Sequence, residues 1–135
     1  MKVFLDTNVL VAAFATRGLC SDVLRTVLAE HELILGEVVL VEFRRVLSTK
    51  FKVPADRIAA AEAVFEGIVP VPKPKEPSAL ELRDAADRWV LASAEAGGGE
   101  ILVTGDEDLL SVAVESILRI ASPRAFWEIL RSGSS

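Results

Sequence analysis

The chain has 135 residues, 51% hydrophobic and 26% charged, with 15 Lys and Arg against 20 Asp and Glu, one Cys and one His. At this length about two-thirds of the unfolded surface is buried on folding, enough for one core without disulfides or a structural metal. Lone Cys20 and lone His31 exclude a disulfide framework and a Cys/His metal cage, and a net charge of −5 excludes coating nucleic acid by a bulk positive field.

Apolar period and punctuation alternate between strand and helix along the chain. Lys2 to Leu5 reads as a first strand and runs into a helical pattern through Val9, Leu10, Ala13 and Phe14. Gly18 breaks that helix, and Ser21 or Asp22 can cap a second one carrying Val23, Leu24, Val27 and Leu28. Glu32 to Leu35 reads as strand two. After a turn at Gly36, Glu37 to Lys50 is amphipathic, with Val39, Phe43, Val46 and Leu47 on its apolar side. Pro54 opens an alanine-rich helix from Ala55 to about Phe65. Ile68 to Val71 reads as strand three, and Pro70, Pro72, Pro74 and Pro77 stiffen the loop to Ser78. A helix from Ala79 to Ala96 stops at Gly97-Gly98-Gly99, ahead of a continuous apolar strand four, Glu100 to Val103. A short helix from Asp106 to Ala113, strand five at Ile117 to Ile120, and a closing helix opened by Ser122-Pro123 complete the pattern.

Five short apolar strands alternating with helices imply an α/β fold with a mostly parallel sheet covered on both faces. We expect one domain over residues 1–131 and a frayed, disordered tail at 132–135. Asp6 interrupts the opening apolar stretch, so it is no signal-peptide core, and runs such as Val9 to Ala15 are too short to cross a bilayer. A cytoplasmic protein without a membrane partner is the expectation.

In open parallel sheets, ligands bind beyond the carboxyl ends of the strands. Strand one ends in Asp6-Thr7-Asn8 and strand four in Thr104-Gly105-Asp106-Glu107-Asp108. Glu42, Asp84 and Asp87 lie in crossover helices. Each acid also has an ordinary role: Asp6, Asp106 or Asp108 as a helix cap, Glu42 as the partner of Arg45, Asp84 as the partner of Arg88. Converging on one rim, they could not all stay ionised without a cation, because like charges raise one another's pKa. An oxygen-only ligand set selects Mg²⁺ or Mn²⁺, one or two ions, and such ions promote phosphoryl transfer without histidine.

These residues complete a resemblance. Val3-Phe4-Leu5-Asp6-Thr7-Asn8-Val9-Leu10, Val41-Glu42-Phe43, Asp87-Arg88-Trp89-Val90-Leu91-Ala92-Ser93-Ala94, Leu102 to Leu110 and Ser122-Pro123-Arg124-Ala125-Phe126 together resemble the motifs of PIN-domain proteins of the VapC-like toxin kind. The resemblance implies a three-layer α/β/α domain around a central five-stranded sheet, and cleavage of single-stranded RNA by metal-activated water. It carries Asp6, Glu42, Asp87 and Asp106 over as catalytic metal ligands and Asp108 as an additional or alternative ligand. Thr7, Asn8 and Thr104 are supporting residues. Asp84 competes for the third position, and Asp87 is preferred because Val90, Leu91, Ala92 and Ala94 continue from it as the motif requires. Arg17, Arg45 and Arg88, with Arg44 nearby, are candidate contacts to the RNA backbone. His31 reads as a helix C-terminal residue, and Trp89 and Trp127 as core or interface and not as base-stacking platforms.

A toxin reading implies an antitoxin protein covering the acidic site and a homodimer formed through exposed apolar residues of the first helices. The alternatives are a non-enzymatic or housekeeping RNA-processing domain of the same fold, and a receiver-like signalling module. Receivers resemble a pattern with a Lys after strand five, where this chain has Ala121-Ser122-Pro123. Aspartyl-phosphate phosphatases resemble a pattern with a second Asp two residues after the first, where this chain has Asn8.

Overall fold

The structure is a computed structural model that describes residues 1–133, so Ser134 and Ser135 of the expected tail lie outside the described residues. β1 (Lys2–Leu5) is buried from Val3 onward, as a central parallel strand requires. It leads through Asp6 into α1 (Thr7–Ala15), followed by α2 (Leu19–Glu30), β2 (Glu32–Ile34) and α3 (Glu37–Thr49). α4 (Ala55–Glu62) tightens into a 3-10 turn over Ala63–Phe65. α5 (Ala85–Ala96), β3 (Ile101–Val103), α6 (Glu107–Ser111), β4 (Arg119–Ala121) and α7 (Pro123–Arg131) complete the described chain.

All strand pairs are parallel, in the order β2-β1-β3-β4, with Phe4 opposite both Ile34 and Leu102. The chain moves outward from β1 to β2, returns past β1 to β3, and continues to β4. Strand order therefore reverses between β1 and β3, and the crevice of this fold opens at their carboxyl ends. α1 packs against α2 and α3, α3 packs against α5, and α7 returns against α2. Phe4, Leu10, Phe43, Leu91, Leu102 and Phe126 are fully buried in one core. Phe14, Phe43 and Phe65 meet edge to face with centroids 5.6–6.1 Å apart, fastening the end of α4 to α1 and α3.

The sheet has four strands where the sequence suggests five. Ile68 to Val71 forms a single parallel bridge, Gly36 with Val71. The Val71 N–H donates to the Leu35 carbonyl at 2.7 Å, and the Val71 carbonyl accepts from the Glu37 N–H at 2.8 Å. Pro70 and Pro72 on either side hold φ at about −65°, away from the geometry of a longer parallel strand. The helix expected from Ala79 begins instead at Ala85. Residues 79–84 stay in the loop because Ser78 is tied across α5: its N–H donates to the Arg88 carbonyl at 3.0 Å, and its carbonyl accepts from the Arg88 guanidinium at 2.8 and 3.0 Å. α2 starts at Leu19 behind Gly18, whose φ of 152° suits only glycine, so neither Ser21 nor Asp22 caps it. The last strand lies at Arg119–Ala121, past an exposed Ile117. His31 is the residue that ends α2, as expected.

Candidate active site

Asp6 is the extended residue that joins β1 to α1, and it is buried at the switch point. Its Oδ1 accepts the Thr7 N–H at 2.7 Å, while its Oδ2 accepts the Thr104 hydroxyl at 2.7 Å and the Asn8 side-chain amide at 3.1 Å. Burial pushes its pKa up against these donors, with Asp106 adding to the rise. Thr104, fully buried at the end of β3, also accepts the Asp106 N–H at 3.0 Å. The Asn8 side-chain Oδ1 accepts the Gly105 N–H at 2.9 Å. Thr104 and Asn8 thus lock the two strand ends into one rigid edge, with every donor around Asp6 fixed by backbone.

Asp87 arrives from the first turn of α5, and its side chain is 8% exposed. Its Oδ2 is a buried oxygen without a hydrogen-bond partner among the described residues. Burial first, then the charges of Asp106, Asp84 and Asp6, push its pKa up to about 7. Asp87, Asp106 and Asp108 each offer a carboxylate oxygen, and all three oxygens lie within 4.8 Å of one another. Asp106 caps α6 through the Asp108 N–H at 2.8 Å, and Asp84 caps α5 through the Ala86 N–H at 2.9 Å. The cap and cluster roles coincide because a helix N-terminus pointing at the crevice turns its capping carboxylate to the same rim.

Asp6, Asp84, Asp87 and Asp106 line a cleft of about 530 Å³, and Glu42 lines the same cleft from α3. Asp6 and Glu42 both sit outside the close cluster, and Glu42 accepts from Arg45 at 2.8 Å, so its ordinary helix pairing and its place in the cleft coexist. An oxygen-only set with one orphaned buried oxygen fits a hard divalent cation, which satisfies that oxygen and offsets the mutual repulsion.

A family model for the PIN domain matches residues 3–115. The chain belongs to the PIN domain family. Members of this family are generally nucleases that bind divalent metals through acidic residues. No curated protein matches the chain in sequence. Among solved structures, this PIN domain is similar to VapBC2 from Rickettsia felis, crystallised with a DNA fragment from their promoter. The identity is 15%, with 90% of this chain and 98% of that one covered, at a TM-score of 0.63. It is also similar to FitAcB from Neisseria gonorrhoeae, at 15% identity over 90% of this chain and 97% of that one, with a TM-score of 0.55. At such identity the likeness is one of fold.

The PIN domain places the expected basic residues differently from its acids. Arg17 is exposed after α1, Arg45 pairs with Glu42, Arg88 is occupied by the Ser78 carbonyl, and Arg44 pairs with Glu62 at 2.7 Å. Two features escape the sequence reading. Arg83 donates to Asp108 at 3.0 Å across the rim, a pairing 25 residues apart that no local spacing signals. Lys50 and Phe51 line the outer cleft. Lys50 is legible in principle, since it lies eight residues after Glu42 and hence near the same helix face.

Proposed function

We propose that this PIN domain is a Mg²⁺- or Mn²⁺-dependent endoribonuclease acting on single-stranded RNA, and the toxin of a toxin–antitoxin pair. The observation that carries the metal reading is the unpartnered Oδ2 of Asp87 beside the carboxylates of Asp106 and Asp108. Asp6, Glu42, Asp87 and Asp106 would hold the cation, with Asp108 beside Asp87 and Asp106 as an additional ligand. When bound, the metal supplies Lewis-acid polarisation of a phosphodiester and acidifies the attacking water.

The chain's own part is to fix the carboxylates. Thr7, Asn8 and Thr104 hold Asp6 in one orientation, so little reorganisation accompanies catalysis. Thr104 couples the position of Asp6 to the backbone of Asp106, setting the separation between two ligands on neighbouring strands. Burial of Asp87 strengthens its interaction with a bound cation and keeps bulk water from competing. His31 lies at the amino end of β2, at the opposite edge of the sheet, and takes no part.

The toxin reading draws on the VapC-like motifs and on the likeness in fold to VapBC2 and FitAcB. It adds an antitoxin that covers the acid cleft and a homodimer, whose candidate surface includes the exposed Leu28 of α2. The deciding experiment incubates purified protein with assorted single-stranded RNAs in Mg²⁺ or Mn²⁺, with EDTA and Asp6→Asn controls. Cleavage leaving 5′-phosphates is expected, abolished by EDTA and reduced at least about 100-fold by the substitution, beyond what supporting residues of metal sites usually cost. Cleavage that survives chelation would sink the proposal.

A further inference from the structure

We infer that a second hollow, beside the acid cleft, is a nucleobase subsite in which Trp89 is the stacking face and Lys73 the phosphate contact. The inference rests on the ribonuclease reading and names where the nucleotide next to the scissile phosphate is held. The hollow measures about 260 Å³, room for one base, and Val38 and Ala86 are among its walls, with Trp89. Val38, Ala86 and Glu42 line the acid cleft as well, so the two spaces adjoin and share a wall. A strand with a phosphate at the carboxylates therefore has an adjacent nucleotide within reach of Trp89.

Three features suit that occupant. Trp89 is only half-buried although it stands two residues from buried Asp87, so part of a large aromatic surface stays open. The Lys73 ammonium lies 4.5 Å from the indole centroid, which shows that the ring face is reachable from the loop side and already attracts a cation. Lys73 is itself exposed between Pro72 and Pro74, which stiffen the loop and limit the ordering it loses on binding. A base stacked on the indole takes the ammonium's place, and the displaced Lys73 turns to the neighbouring phosphate. Stacking on a π-face tolerates any base, and the cation supplies attraction that this acidic chain otherwise lacks near the site.

The chain has two tryptophans, so a Trp127→Phe protein reports Trp89 fluorescence alone. It is titrated with short single-stranded RNA in Ca²⁺, alongside anisotropy measurements on Trp89→Leu, Trp89→Phe and Lys73→Gln proteins of verified thermal stability. A set of oligonucleotides with one abasic position walked along the strand completes the cycle. We expect RNA to quench Trp89 saturably, Trp89→Leu to weaken binding about five- to tenfold, as loss of one base–aromatic stack does, and Trp89→Phe to restore most of it. One abasic position should weaken binding to the parent but not to Trp89→Leu. In Mg²⁺ the penalty of Trp89→Leu should fall on KM with kcat kept. Unchanged affinity of Trp89→Leu overturns the subsite and leaves the ribonuclease reading standing. Fluorescence that follows protein concentration and ignores RNA overturns it in favour of an interface between two copies. Failure of the parent protein to bind or cleave RNA overturns both.

Discussion

Asp87 sits under two opposing demands, burial that favours its neutral form and a metal role that needs its anion. Its pKa in the folded metal-free protein is about 7 against an ordinary 3.8, so the folded state holds the proton more tightly than the unfolded one. The group's contribution is therefore most favourable below about pH 4 and is lost as pH rises toward 7. In EDTA, Asp87→Asn should raise stability at pH 8 by a few kcal/mol, a gain that shrinks toward zero near pH 4, as read from urea unfolding. A variant no more stable than the parent at pH 8 would contradict this account. Thr104 serves the opposite end of the site, since its single hydroxyl both donates to Asp6 and accepts from the Asp106 backbone. Thr104→Val keeps the shape but leaves the part-buried Asp106 N–H without its acceptor and Asp6 Oδ2 with the Asn8 amide alone, at about 1–3 kcal/mol in all. Calorimetric Mn²⁺ affinity should fall about 10- to 100-fold, the range for residues that orient a metal ligand. Unchanged affinity would mean that Asp6 needs no such orientation.

At the scale of elements, what was readable in the sequence followed burial. β1 and β3 are buried on both faces, so their apolar runs needed no alternation to be recognised, and the acids after them fell where the crevice opens. The segment Ile68 to Val71 misled because Ile and Val promise a strand, while Pro70 and Pro72 reduce it to one bridge. The start of α5 misled because what stops the helix from extending back to Ala79 is the tertiary grip of Arg88 on Ser78. Arg83 escaped for a similar reason, its partner Asp108 being distant in sequence. The bridge at Val71 has a measurable consequence at Gly97, which ends α5. A Cβ on Gly97 would lie 2.8 Å from both Ile34 Cγ2 and Val71 Cγ2. Gly97→Ala should therefore push α5 away from β2 and the bridge, costing about 1–3 kcal/mol in chemical denaturation. Because the acids lie at the other end of α5, Mn²⁺ affinity should stay within about threefold, well under the roughly 10- to 100-fold that marks a disturbed ligand support. A stability equal to the parent's would show that the end of α5 is looser than the packing indicates.

For the whole molecule, acidity and RNA binding are reconciled by location. Setting aside Asp6, Glu42, Asp87 and Asp106 leaves 16 acids against 15 bases, so most of the charge of −5 belongs to the cleft. About a third of the basic complement is also spent: Arg25, Arg44, Arg45 and Arg83 are paired with acids, and Arg88 with a carbonyl. Such a surface offers a phosphate backbone little attraction until the cleft is neutralised. RNA affinity should consequently depend on divalent metal far more than on monovalent salt. By anisotropy in EDTA, binding should be weak and should change little between 50 and 200 mM salt, since few counterions are released; about one phosphate neutralised gives a log–log slope near −0.7, roughly a 2.6-fold change over that range. Adding Ca²⁺ or Mn²⁺ should tighten binding at least about tenfold, the factor that corresponds to 1.4 kcal/mol. That gain should vanish in Asp87→Asn, whose buried oxygen no longer draws the cation in. Tight, steeply salt-dependent binding in EDTA would instead reveal a basic track outside the cleft, and the acids would then steer the strand by repulsion.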